Sequence, residues 1–171
     1  MATYPPRGFT INAMICDTAS SPEGKLYIHG GGWNLLTTNI FPFIQPRIAV
    51  AGVISVPYTE TNKGHVLELR LEDEDGKRIP LGSTVTAPDG TAARAPEGIQ
   101  AQFTLGRPPD LQAGDAQSLP IAINLDRVRF ESPSAYSFVI TIGGEEITRL
   151  PFRVAAFPGV VLASGGPGAT A

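Results

Sequence analysis

Apolar and polar residues alternate along most of this chain, and this period of two constrains the fold more than any other feature of the sequence. Leucine occupies every second position from Leu67 to Leu71, with Glu68 and Arg70 between. The same alternation returns in residues 99–105, 119–125 and 136–142. Successive side chains of a strand point to opposite faces, so these segments predict strands with one face on a core.

Turn residues separate these segments. Asp75-Gly76 and Gly143-Gly144 are dipeptides that close tight hairpins, which predicts strand pairs on either side of each. Pro120 has no N–H to donate, so its strand is expected at a sheet edge or at a strand start. The run from Ile48 to Val56 is nearly all apolar and is expected to be a central strand.

The number of such segments predicts the fold class. No window of ten residues places apolar side chains at helical spacing, whereas about eight strands are indicated, with turns every 8–12 residues. We therefore expect an antiparallel β-sandwich, immunoglobulin-like or jelly-roll-like, with little or no helix. Residues 9–157 are expected to form one domain, with a flexible N-terminus over 1–8 and a flexible Gly/Pro/Ala tail over 158–171.

Composition argues against several classes of partner. The net charge is −3 and the longest basic cluster is Lys77-Arg78, so neither nucleic acid nor a membrane surface is an expected partner. Cys16 is the only cysteine, which rules out an intrachain disulfide and a cysteine-based zinc site. The first ten residues lack the apolar stretch of a signal peptide, and we expect a cytoplasmic protein.

The segment from Lys25 to Asn34 is the best candidate for a contact site. It combines three consecutive glycines with the only tryptophan, and glycines in a row favour positive φ or close approach by another group. An aromatic ring beside such a loop could stack on a sugar or anchor a protein. The candidate contact residues are Tyr27, His29, Trp33 and Asn34. The alternative is a corner of the sandwich that turns Trp33 into the core.

Catalytic and metal-binding motifs are weak. The sequence lacks a Gly-x-Ser-x-Gly elbow, a P-loop and a dinucleotide-binding fingerprint, so no enzymatic activity and no cofactor are expected. His29 and His65 are the side chains that titrate near neutral pH, and both are expected to be polar residues at strand ends. Asp73 and Asp75 lie in an acidic loop that could bind calcium, although a solvated hairpin turn explains the same residues.

Four segments together resemble a family of uncharacterised bacterial, mostly actinobacterial, β-sandwich proteins of unknown function. They are Met14–Asp17, Gly24–Trp33, Leu67–Gly76 and Tyr136–Val154, and the resemblance extends over roughly residues 9–157. It implies no established activity and supplies no catalytic residues. The last of these segments is also similar to the final hairpin of many immunoglobulin-like modules, a generic likeness that does not fix function.

These observations favour a non-catalytic interaction or ligand-binding module of unknown specificity. The expected partner is another protein or a second copy of the chain, in preference to a small molecule. One alternative is a structural subunit of a larger assembly, such as a phage-like or secretion-like particle. A second alternative is an enzyme with a cryptic site that pairs a histidine with a carboxylate.

Overall fold

The computed structural model describes residues 8–82 and 95–157, together with the backbone of Val85–Thr86 and Ala92–Ala93. The all-β prediction is confirmed: over these residues the chain forms strands and two 3-10 turns, Pro22–Gly24 and Tyr58–Glu60. The flexible ends predicted over 1–8 and 158–171 lie outside the described residues, except for Gly8. The strands are β1 (Thr10–Cys16), β2 (Thr18–Ser20), β3 (Tyr27–His29), β4 (Leu35–Thr38), β5 (Phe43–Pro57), β6 (Gly64–Asp73), β7 (Arg78–Ile79), β8 (Val85–Thr86), β9 (Ala92–Ala93), β10 (Ile99–Thr104), β11 (Ala116–Phe130), β12 (Ser134–Ile142) and β13 (Glu145–Ala156).

The smaller sheet contains three antiparallel strands in the order β1-β5-β11. The apolar strand β5 is central, as its sequence predicts, and Pro120 lies in the edge strand β11. Strand β11 is longer than the alternation over 119–125 indicates. Arg127 adopts a φ of 58°, and Leu125 and Val128 are both buried in the core although they are three residues apart. The phase of the alternation therefore changes within the strand. For this reason the alternating pattern does not predict the second half of β11.

The larger sheet has the order β10-β6-β12-β13-β4, with β7 paired to the end of β6. Strands β4 and β13 are parallel, and the other pairs of this sheet are antiparallel. Both predicted hairpins are confirmed. Leu71 pairs with Ile79 across Asp75-Gly76, and Ile142 pairs with Glu145 across Gly143-Gly144. Both glycines of the second turn have positive φ, 61° and 87°, as a two-residue hairpin turn with positive φ at both positions requires.

The core lies between the two sheets, which gives the sandwich. The inner face of the larger sheet contributes Leu67, Leu69 and Leu71 of β6 together with Phe138 and Ile140 of β12, all buried. The smaller sheet contributes the alternate side chains of its central strand, which are also buried: Ile48, Val50, Ile54 and Val56. Each set follows the period of two that the sequence shows.

A second, smaller cluster lies on the opposite face of the smaller sheet. Strands β2 and β3 form a two-stranded antiparallel ribbon that folds over this outer face. Beneath it, the small side chains of Cys16, Ala49 and Ala51 are fully or almost fully buried. Because these side chains are small, the ribbon can approach the sheet closely. Strand β5 is therefore covered on both faces over this part of its length.

The outer face of the larger sheet is covered differently, by a network of charged side chains. Arg70 lies 2.6 Å from Glu72 and 3.7 Å from Glu68, and Arg149 lies 2.8 Å from Glu72. Val139 is paired with Arg70 on one side and with Arg149 on the other, and it is fully buried. The aliphatic stems of the two arginines cover Val139 while their charged ends form ion pairs.

Glu72 is at the centre of this network. Its side chain is 10% exposed and accepts hydrogen bonds from the guanidinium groups of Arg70 and Arg149. Burial disfavours the charged carboxylate, but the two arginines outweigh burial and hold the pKa of Glu72 below its usual value of 4.5. A carboxyl group with a lowered pKa in the folded state stabilises the fold above its unfolded pKa. That contribution is lost as the pH falls through the folded pKa.

Replacing Glu72 should therefore make stability less dependent on pH. We expect Glu72→Gln to lower the free energy of unfolding by about 1–3 kcal/mol at pH 7, because two charge-assisted hydrogen bonds are lost. The difference from the unmodified protein should shrink as the pH falls below 4.5. Urea unfolding at several pH values measures this. Glu131→Gln, in an exposed ion pair with Arg129, is the matched control and should change stability little. An equal loss for Glu72→Gln at every pH would contradict the prediction.

Candidate functional site

The structure places Trp33 at a corner, with its ring half-buried against the core. The ring meets Phe152 edge to face, with centroids 6.2 Å apart, and Nε1 donates a hydrogen bond of 3.0 Å to Oδ1 of Asp17. The one polar atom of the indole is thus satisfied inside the protein. Phe152 and Asp17 both contact the indole of Trp33 within the chain. These contacts support the interpretation of this segment as a corner of the sandwich.

The three glycines before Trp33 explain how the chain makes this corner. Gly30 and Gly32 have φ values of 62° and 88°, a backbone region that side chains disfavour. Gly31 is closely packed: a Cβ there would lie 2.9 Å from both Ile28 Cγ2 and Met14 Sδ, so these side chains would have to shift. The N–H of Gly32 donates to the carbonyl of Ile15 at 2.9 Å and ties the corner to β1. The glycines serve backbone geometry and close packing.

The other three candidate contact residues are exposed. Tyr27 is 48% exposed, and His29 follows it two positions later on the same face of β3. Ile28, between them, points to the cluster beneath the ribbon. Asn34 is exposed, and its carbonyl accepts a hydrogen bond from the N–H of Arg153. The structure therefore brings Tyr27 and His29 together on the outward surface of the ribbon and leaves Trp33 at the corner.

Asn124 anchors the ribbon to the smaller sheet. The alternation of apolar and polar residues does not predict this role. Its Nδ2 donates to the carbonyl of Ala19 at 2.8 Å, and its Oδ1 accepts from the N–H of Ala19 at 3.1 Å. Oδ1 also accepts from the hydroxyl of Thr18 at 3.1 Å. One amide thus pairs with both backbone groups of one residue, as a neighbouring strand would. The sequence signal for this anchoring role is an asparagine at an outward-facing position of an otherwise apolar strand.

The two histidines lie at opposite ends of β1. The ring of His65 packs against Phe9, just before this strand, with centroids 4.8 Å apart, while the carbonyl of His29 accepts from Asp17, just after it. The seven residues of β1 separate these positions by about 20 Å. His65 also uses Nε2 to contact the carbonyl of Glu60 at 2.8 Å. The two imidazoles are therefore not parts of one site.

The acidic loop has the geometry of a hairpin turn. Oδ1 of Asp73 accepts from the backbone N–H groups of Asp75 and Lys77, at 3.0 and 2.8 Å. Gly76 completes the turn with a φ of 77°. Within the described part of the chain, no group of three or more His, Cys, Asp or Glu side chains is placed to hold a metal ion.

Cys16 has the environment of a core residue. It is fully buried beneath the ribbon, and its Sγ lies 3.7 Å from the carbonyl of Ala49. Burial, and secondarily the neighbouring charge of Asp17, raise the pKa of the thiol above 9.0. A raised pKa lowers the fraction of reactive thiolate at neutral pH.

One surface that internal contacts leave uncovered is the outer face of the smaller sheet beyond the ribbon; exposed apolar side chains also occur elsewhere in the described part of the chain, at Leu35, Ile40, Ile44, Val66 and Phe157. The register places its outward side chains in rows that cross all three strands. Met14 is 41% exposed, and Thr10, Asn12 and Ser118 are exposed as well. We call this surface the uncharged face; its rows are Thr10–Ser55–Ser118 and Asn12–Val53–Pro120, and Met14 lies at its boundary with the ribbon.

None of the six side chains in these two rows carries a charge, and Met14 beside them is apolar. The corresponding face of the larger sheet contains alternating glutamates and arginines. Charged residues are depleted from the centres of protein interfaces, and methionine and tyrosine are enriched there. The uncharged face and the neighbouring outward side of the ribbon, with Tyr27, therefore form the candidate functional site.

A methyl group at Gly31 should disturb the corner beside this site. We expect Gly31→Ala to lower the free energy of unfolding by about 1–3 kcal/mol, because the new Cβ overlaps Met14 and Ile28. Chemical denaturation measures the loss. Gly106→Ala is the matched control, since a Cβ there meets nothing within 4 Å, and it should leave stability nearly unchanged. Equal effects of the two substitutions would contradict the close-packing role of Gly31.

Removing the amide of Asn124 should loosen the ribbon selectively. In Asn124→Ala, the amide of Ala19 loses the side-chain acceptor, and we expect its hydrogen exchange to accelerate by about 10-fold or more. Exchange measured by NMR on the intact protein tests this. Asn12→Ala, an exposed amide on the same sheet face, should leave the Ala19 rate unchanged. Unchanged exchange at Ala19 in Asn124→Ala would overturn the fastening role.

Comparison with known proteins gives a family and a distant structural neighbour. No curated protein matches this chain. One matching solved structure is the Pseudomonas fluorescens alkylpurine DNA glycosylase AlkC bound to DNA containing an abasic site analog, at 13% identity and a TM-score of 0.43. The match covers 86% of this chain but 30% of the glycosylase, and a similarity of this size carries no argument about function.

The family comparison agrees with the resemblance found in the four sequence segments. The match spans residues 12–155, which include almost all of the sandwich. The bacterial, mostly actinobacterial distribution stays a prediction. The chain belongs to DUF6941, a family of unknown function.

Proposed function

We propose that this protein is a non-catalytic interaction module that binds another protein through the uncharged face. The observation that supports this most directly is the lack of charge in both rows of that face, while the outer face of the opposite sheet carries paired charges. The free-energy cost of removing water from an exposed sheet surface is lower when the surface carries no charges, because no ion has to be desolvated.

The composition of the site fits a protein partner better than a small molecule. The face is a flat sheet surface, whereas small ligands are held in concave pockets that enclose most of their surface. Met14 and Tyr27, two large exposed apolar side chains, flank the edge of the ribbon and could act as anchors. Hydroxyl and amide groups at Thr10, Asn12 and Ser118 could supply peripheral hydrogen bonds.

The placement of the histidines supports a non-catalytic role. His65 is packed between Phe9 and Phe103 and contacts a backbone carbonyl, and His29 lies at the far end of the sandwich. The carboxylate of Glu60 lies 3.9 Å from Nε2 of His65 but is paired with Lys63, and a His/carboxylate site would also require the imidazole to face a substrate.

A cytoplasmic location and an immunoglobulin-like relationship belong to the same proposal. The first is supported by the single cysteine, which cannot form an intrachain disulfide. The second is supported by the antiparallel hairpin of β12 and β13 that ends the sandwich. No helix in the described part of the chain is long and apolar enough to cross a membrane.

Site-specific photocrosslinking in native cells tests the proposed function. A benzophenone amino acid at Ser118 should give discrete protein adducts, because this side chain lies on the uncharged face. The same probe at Gln102, which is exposed on the outer face of the larger sheet, is the control and should give few adducts. Adding Val53→Lys to the Ser118 probe should reduce its adducts at least about 10-fold, since an unpaired lysine would be buried in the contact. Equal labelling from both positions would overturn the proposal.

A further inference from the structure

We infer that the partner of the uncharged face is a second copy of this chain, and that the two copies form a lap joint in which the ribbon of each packs on the uncharged face of the other. The inference rests on the proposed function and adds the identity of the partner. Its starting point is the shape of the site, which contains a raised part and a lower part side by side.

The raised part is the ribbon. It covers Cys16, Ala49 and Ala51, so its outward side chains stand one layer above the sheet. The lower part begins where the ribbon ends and consists of the rows of Val53 and Ser55. The step between the two levels lies at Met14, whose Sδ is close to Gly31 at the ribbon's base.

A step of this kind is complementary to itself. Rotation by 180° about an axis parallel to the step places the raised half of one copy over the lower half of the other, and the same contact is repeated by symmetry. The ribbon has three residues in each strand, and the exposed rows of the sheet span about the same length at roughly 3.4 Å per residue. The ribbon of one copy therefore fits the exposed rows of its partner.

The chemistry of the two halves also matches. The outward side of the ribbon carries Ser20, Tyr27 and His29, while Ala19 and Ile28 are turned inward and the hydroxyl of Thr18 is bonded to Asn124. Thus no Asp, Glu, Lys or Arg of the ribbon strands or the exposed rows would lie in the contact, although each chain has a net charge of −3. Tyr27 would provide a large aromatic surface opposite Val53 and Pro120.

The contact area indicates how strong this association should be. Three strands at about 4.8 Å spacing and two rows at about 7 Å give roughly 200 Å² of sheet surface, and the ribbon adds about 200 Å². Each copy would then bury about 400 Å², half of the roughly 800 Å² per partner of a standard stable interface. We therefore expect a reversible dimer whose population rises with concentration.

Sedimentation velocity from about 10 µM to 1 mM tests this inference. The unmodified protein should shift from monomer toward dimer over this range. Val53→Lys on the sheet and Tyr27→Asp on the ribbon should each reduce the dimer fraction at least about 10-fold. Val66→Lys, a matched change at a 38% exposed valine on the outer face of the larger sheet, should dimerise like the unmodified protein.

Mixing the two interface variants gives a more specific test. In a lap joint, the mixed pair has one undisturbed contact, and its other contact brings the introduced lysine of one copy opposite the introduced aspartate of the other. We expect the mixture to dimerise more than either variant alone. Circular dichroism must show that the variants are folded; Ser118→Lys, at an exposed position of the same face, replaces Val53→Lys if that variant is not.

The outcomes separate this inference from the proposed function. A protein that remains monomeric at about 1 mM, variants that dimerise normally, or a mixture that behaves like its components would each overturn the lap joint. If crosslinking at Ser118 still gives adducts with a different protein, the uncharged face remains an interaction site and only the identity of the partner is wrong. If neither experiment gives a contact at this face, both proposals fail.

Discussion

Strand β5 has apolar side chains on both of its faces, and covering both is the constraint on which the arrangement of the other elements depends. Ile48, Val50 and Ile54 face the larger sheet, while Ala49 and Ala51 face the opposite way. A sandwich covers the first set but leaves the second exposed to water, at a cost that grows with apolar area. The ribbon of β2 and β3 supplies the missing cover. The glycine corner and Asn124 are the features that bring the ribbon into place.

The two outer faces of the sandwich cover their apolar side chains in different ways. On the larger sheet, Val139 is buried by long arginine side chains whose charges are paired with glutamates. On the smaller sheet, backbone from elsewhere in the chain covers the outer face, and only part of it. Charged side chains cover Val139 within the monomer, because their ion pairs remain hydrated at their edges. Backbone cover stops where the ribbon ends, and this is why the uncharged face lies beside it.

Local patterns in the sequence predicted the framework of the fold. Alternating residues identified β6, β10 and β12, and the glycine dipeptides identified both hairpins, since strand period and turn conformation depend on neighbouring residues. The second half of β11 was missed because Arg127 changes the phase of the strand. The position of Trp33 was left between two alternatives, and the structure favours the corner. The role of Asn124 depends on Ala19, 105 positions away in the sequence, and no local pattern reports such a contact.

The burial of Cys16 has a consequence for how the protein's motions can be followed. This side chain is the only thiol of the chain, and its exposed fraction is 0% beneath the ribbon. A thiol reagent can reach it only when the structure around it opens, so the rate of labelling reports how often that opening occurs. The native thiol of Cys16 is thus a probe of ribbon movement. No engineered cysteine or other change of sequence is needed to measure how often the sheet beneath the ribbon is exposed.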